Sequence, residues 1–176
     1  MAGIAHMGVG LAAKRFAPDV PVGVLVVSAC AIDIVWGTGF VVGLDRLSQV
    51  DQAAASPWSH SLLMAVVWSG LAALLAQRIY RNRRTSIIIG LVVFSHWIVD
   101  FISHPMTAIM PNATGLPLAF EGSPVVGLGL WSTPLAVAVG ESILLIGGLV
   151  IYLLTRARLQ QEKKLRALEN AGAGRP

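Results

Sequence analysis

Residues 85–105 read TSIIIGLVVFSHWIVDFISHP, and this stretch decides the fold. From Thr85 to Ser103 it is apolar and nearly as long as the roughly 20 residues a helix needs to cross a bilayer core. Yet it carries His96 and Asp100, with His104 at its end. These three fall at i, i+4 and i+8, one above another on a single helix face. An ionisable side chain inside a span costs a few kcal/mol on insertion scales, so a chain keeps one by pairing it or by using it. The stretch therefore reads as a membrane helix with a polar stripe that has a task.

Working outward, three more stretches are long and apolar enough to span: Val20–Leu44, Pro57–Gln77 and Pro134–Leu154. Ser56 and Pro57 read as the N-cap and first-turn proline of the second. The whole chain of 176 residues is 55% hydrophobic and only 12% charged, where a soluble domain carries about 25%. Its mean hydropathy is +0.71. The expected fold is all-α: a polytopic membrane bundle of four transmembrane helices plus a short N-terminal apolar half-helix. Residues 1–155 form the membrane domain. Residues 156–176 form a charged tail, helical until its Gly/Pro end.

The basic residues set an orientation. Lys14 and Arg15, then Arg78, Arg81, Arg83 and Arg84, then Arg156, Arg158, Lys163, Lys164, Arg166 and Arg175 share one side. Only Arg46 falls on the other. The positive-inside rule makes the basic side cytoplasmic, with loops 45–56 and 104–131 outward. The expected location is a bacterial inner membrane, and the net charge of +4 serves orientation, with no call for nucleic acid. The first residues, MAGIAHMGVGLAA, are too short to span alone and end at Lys14. Read as a helix, they lift His6 roughly 12 Å above Lys14, into the membrane.

Several features have bland readings. The single cysteine, Cys30, excludes an intramolecular disulfide and a Cys-rich zinc module. Val27-Ser28-Ala29-Cys30 resembles a lipobox, but the chain continues AIDIVWGTGFVVGL where a lipoprotein would have a polar tether, so Cys30 reads as a small buried residue. Gly39-x-x-x-Gly43 reads as helix packing. Trp36, Trp58, Trp97 and Trp131 read as interface anchors. Asn112-Ala113-Thr114 is a glycosylation-type sequon without consequence in a bacterial host. Nucleotide and serine-hydrolase chemistry lack their motifs.

The ionisable residues within the apolar stretches are Asp33, His60, His96, Asp100 and Glu141, joined by His6 and His104. Counted from the span ends, all fall in the outer half of the bilayer. Asp33, His60, His96 and Asp100 offer nitrogen and oxygen donors without thiolate, which suits Zn²⁺, with Mn²⁺ or Fe²⁺ also compatible. Ser59, Ser61, Ser95 and Ser103 flank the histidines as supporting donors. Two other readings use the same residues: a His–Asp network that locks helices together, and a proton or ion pathway.

The series IAHMGVG, AIDIVWG, SHSLL, SHWIVDFISHP and GLGLWSTP…GESILL resembles the YdjM-like family of inner-membrane proteins, described as metal-dependent hydrolases. The resemblance covers residues 1–155, and SHSLL and SHWxxDxxxHP are its most specific blocks. It implies metal binding at His6, Asp33, His60, His96 and Asp100, with His104 and Glu141 as further ligands. The ligand order is also similar to that of bacterial zinc phospholipase C enzymes. Their His-x-x-x-Glu has no counterpart, because position 137 is Val137, which points to one or two metals and away from three. The resulting expectation is a membrane-embedded, zinc-dependent hydrolase. Asp33, His60, His96 and Asp100 hold the first ion, His6 completes a second position, and Glu141 serves as general base or extra ligand. The substrate is lipid-like, best a phosphoester, entering between helices beneath an outer loop built from MTAIMPNATGLPLAFEGSP. The alternative is a small transporter or ion-handling protein using the same site.

Overall fold

A computed structural model describes residues 3–42, 57–109, 114–120 and 122–173. Gly43, Arg46, Ser56, Asn112, Ala113 and Arg175, together with the 45–56 loop, lie outside the described residues. The helices are α1 (Gly3–Ala13), α2 (Val22–Ala29), α3 (Ala31–Val42), α4 (Pro57–His60), α5 (Leu62–Tyr80), α6 (Arg83–Ser103) and α7 (Pro134–Ala173). Two short strands, β1 (Leu116–Pro117) and β2 (Val125–Val126), form an antiparallel hairpin. Helices α5, α6 and α7 are long and apolar enough to cross a membrane, and α2 with α3 make a fourth span if counted together. The expected all-α membrane bundle is the observed one.

Helix α6 is the central element. Its apolar window is 44% buried inside the protein, against 11% for α5 and 6% for α7. It pairs with α5 across a tight turn in which Arg81 takes a left-handed conformation (φ 50°) and closes α5. Asn82 then caps α6, its Oδ1 accepting the Thr85 N–H. Gly90 lies against the Ala73 side chain and the Ser69 carbonyl, so the two backbones approach closely.

Helix α1 is packed, not frayed: Ala5 and His6 are buried. Glycines make its seat. A Cβ on Gly8 would strike the backbone of Leu144 and Leu145 in α7, one on Gly148 would strike Gly8, and one on Gly10 would strike Leu25 and Val26 in α2. Lys14 Nζ donates to the carbonyls of Pro18 and Val20 at 2.7 and 2.6 Å, bracing the turn into α2.

Two expected spans are broken. Val20–Leu44 is resolved into α2 and α3, bent by 55° at Cys30, which is half-buried at the bend and not in the core. The Pro57–Gln77 span breaks at Ser61. Its Oγ donates to the Pro57 carbonyl and accepts the Met64 N–H, so Ser61 ends one turn and caps the next helix. The last span is instead longer than expected. Helix α7 runs unbroken for 40 residues, about 60 Å, or twice the apolar thickness of a bilayer. The charged tail is thus the continuation of the span, with Arg158 and Glu162 paired one turn apart at 2.8 Å.

The segment after α6 is built, not open. The N–H groups of Leu128, Leu130, Trp131 and Gly129 donate to the carbonyls of Phe101, Ile102, Ser103 and His104, groups that a helix end leaves without partners. Leu63 N–H donates to Leu118 O, tying the hairpin to the start of α5. Trp131 corrects the expected interface belt: it is buried with Ala5, Val99 and Met106 and its indole lies against Gly140. Trp97 stacks with Phe94 and Phe101, and Trp58 leans on Phe120.

Candidate metal centre

Four separate helices deliver the polar residues to one place. The α6 stripe supplies His96 and Asp100, both buried. Helix α1 supplies His6, and α4 ends on His60, both also buried. Helix α3 supplies Asp33, whose side chain is 31% exposed and forms the open edge of the cluster. The bend at Cys30 and the break at Ser61 are what turn Asp33 and His60 inward against α6.

Four distances define the geometry. His60 Nε2 lies 3.4 Å from Asp33 Oδ1 and 3.6 Å from Asp100 Oδ2. His96 Nε2 lies 3.5 Å from Asp33 Oδ1 and 3.3 Å from Asp100 Oδ2. A charge-assisted N–H···O bond would be about 2.7–2.9 Å, so these are poor hydrogen bonds. Around a tetrahedral ion with bonds of about 2.0–2.2 Å, however, neighbouring ligand atoms stand about 3.3–3.6 Å apart. The four nitrogen–oxygen spacings therefore match those of ligand atoms that share an ion, with Asp33 and Asp100 falling in separate three-residue groups. Asp33, His60 and His96 form one group whose ligand atoms could hold an ion, and His6, His96 and Asp100 form another. His6 Nε2 approaches the second Asp100 oxygen, Oδ1, at 3.3 Å.

The ring nitrogens are oriented for this. His96 Nδ1 is 2.8 Å from the Ala29 carbonyl, which can only accept, so Nδ1 carries the proton. In the neutral ring Nε2 then presents a lone pair, and it is buried without a hydrogen-bond partner. An orphaned nitrogen in the interior is costly unless something else satisfies it, and a cation does. His60 Nδ1 meets Ser59 Oγ at 2.8 Å, and its Nε2 faces the cluster. The rings also pack together: His6 and His96 stack at 3.6 Å, and His60 meets His96 edge-on at 5.4 Å.

Among the seven residues read from the sequence, His6, Asp33, His60, His96 and Asp100 come together. His104 and Glu141 lie outside both groups. His104 caps α6, its N–H donating to the Asp100 carbonyl at 2.7 Å, and its imidazole is buried. Burial pushes its pKa below the ordinary histidine value. Glu141 is half-buried on α7. Of the flanking serines, Ser59 reaches a histidine, while Ser61, Ser95 and Ser103 bond to backbone carbonyls. No residue pattern announces the Ala29 carbonyl, because a main-chain group that orients a ligand carries no side-chain signature. No family model, curated protein or solved structure matches the chain, so the YdjM-like resemblance rests on its quoted motifs.

Proposed function

We propose that this chain is a membrane-embedded, metal-dependent hydrolase, with Zn²⁺ as the preferred ion and a lipid-like phosphoester as the substrate class. The observation that carries it is the set of four His–Asp distances, each the spacing of two ligand atoms on a shared ion. Nitrogen and carboxylate donors without thiolate suit Zn²⁺. When bound, such an ion supplies Lewis acidity toward a phosphoryl or acyl oxygen and acidifies water.

The chain's own residues do the rest. His60, His96 and Asp100 hold the ion in a dry interior, where electrostatic interactions are stronger than in water. Asp33, the exposed edge, lies where substrate reaches the cluster. Among the described site residues it is the only opening, which favours one mouth for a reactant over a two-sided permeation path. The positive-inside rule turns the basic end toward the cytoplasm and the site toward the outer half of the bilayer. SHSLL and SHWIVDFISHP, the blocks that resemble the YdjM-like family, contain three of the four ligands.

The test joins metal content to turnover. Purified protein should hold near-stoichiometric zinc by inductively coupled plasma mass spectrometry. It should hydrolyse a phospholipid or a polyprenyl phosphate, and Asp100→Asn should lose both properties. Metal-free protein of full stability would sink the reading. Metal retained without turnover, with solute accumulating in proteoliposomes, would replace the hydrolase by a transporter.

A further inference from the structure

A second feature lies away from the metal centre. A groove of about 770 Å³ runs along α6 beside α1. That volume is within the roughly 300–1,000 Å³ of ligand pockets. Its walls are apolar: Val9 of α1, Phe16 of the following turn, and Ile87 and Leu91 of α6. At one end stand Arg83 and Arg84, and at the other Ser95. From Arg83 to Ser95 is twelve residues of helix, about 18 Å.

We infer that the groove is a binding site for one anionic phospholipid from the leaflet at the basic end, its phosphate at Arg83 and Arg84 and an acyl chain along Ile87 and Leu91. The charge pattern selects this occupant. Both guanidiniums are exposed, and among the described residues neither has an ion-pair partner. They also form the first turn of α6, where the positive end of the helix dipole favours an anion. Beyond them the wall offers only hydrocarbon until Ser95, whose hydroxyl is already spent on the Val92 carbonyl at 2.6 Å. A head that is anionic and a tail that is apolar, in that order along α6, is the chemistry of a phospholipid. A zwitterionic lipid would fill the groove but would set its own cation beside two arginines.

The site has a structural consequence. Its occupant touches α1 at Val9 and α6 at Ile87, and α1 carries His6. The lipid therefore braces the helix that completes the polar cluster, while its headgroup stays about 18 Å along α6 from Ser95. It is a bound cofactor-like lipid and not a substrate. The inference is independent of whether the cluster holds metal.

Delipidated protein is to be mixed with vesicles of phosphatidylglycerol or of phosphatidylcholine and examined by native mass spectrometry. One phosphatidylglycerol should be retained in preference to phosphatidylcholine, and excess inorganic phosphate should not replace it. The Arg83→Gln, Arg84→Gln double variant should lose that preference by about 30-fold, each basic residue near a membrane surface being worth about a factor of five. Leu91→Trp, which fills the groove without touching the arginines, should reduce retention of both lipids. Equal retention of the two lipids by the native chain, or undiminished phosphatidylglycerol in either variant, overturns the assignment.

Discussion

His96 Nδ1 donates to the Ala29 carbonyl across the bend between α2 and α3, at 2.8 Å. One bond thus fixes the tautomer of the central histidine and anchors the helix turn that brings Asp33 to it. The two functions are separable by mutation. His96→Asn keeps a donor near the Nδ1 position but has nothing at Nε2. It should fold with near-native melting and bind no metal. His96→Ala loses the donor as well and leaves the Ala29 carbonyl unsatisfied, at a further cost of about 1–3 kcal/mol. Thermal unfolding in detergent with metal analysis reads both effects. Equal stability of the two variants would mean that this bond does not hold the bend.

Asp100 is the hub of the cluster, within 3.3–3.6 Å of His6, His60 and His96. Asp100→Asn conserves volume but turns one oxygen into an amide that offers no lone pair. Zinc affinity should fall by more than the roughly 10–100-fold that even outer supporting residues cost. Glu141→Gln should leave metal content unchanged, since Glu141 lies outside both ligand groups. Metal analysis after dialysis checks the pair. A loaded Asp100→Asn or an empty Glu141→Gln would redraw the ligand set.

Hydropathy made α5, α6 and α7 legible, because a bilayer span needs only length and apolarity. Expensive polar groups in apolar runs made Asp33, His60, His96 and Asp100 legible as a set. The bend at Cys30 was not, because Ala29-Cys30-Ala31 holds neither proline nor glycine and the carbonyl is claimed by a residue 67 positions away. The break at Ser61 was hidden behind the stronger Ser56-Pro57 signal. Amphipathic rings favour interfaces, which makes Trp131 read as an anchor, but its indole packs against Gly140, nine residues further along the chain.

Acidification should release the ion. His60 and His96 would bind through ring nitrogens that a proton can also take, so protons compete with the ion as the pH falls, by up to about 100-fold in affinity per pH unit where both rings are protonated in the apo site. The metal-dependent gain in melting temperature should vanish with it and return on neutralisation. Titration of apo protein with Zn²⁺ at stepped pH measures the slope. A pH-independent affinity would mean that the imidazoles are not ligands.

His6 depends on a backbone contact made two residues further along α1. Helix α1 rests on α7 where Gly8 faces Leu144 and Leu145 and Gly148 faces Gly8. Gly8→Val has no room there, and α1 must move away, at a cost of about 1–3 kcal/mol or more. The displacement carries His6 off Asp100 Oδ1, but Asp33, His60, His96 and Asp100 stand on α3, α4 and α6 and keep their positions. The variant should therefore melt earlier while retaining one ion, and His6→Ala should retain that ion with a smaller loss of stability. If His6→Ala empties the site, His6 is itself a ligand and the set Asp33, His60, His96 and Asp100 is incomplete. If Gly8→Val melts like the native chain, α1 is not seated on α7 at all.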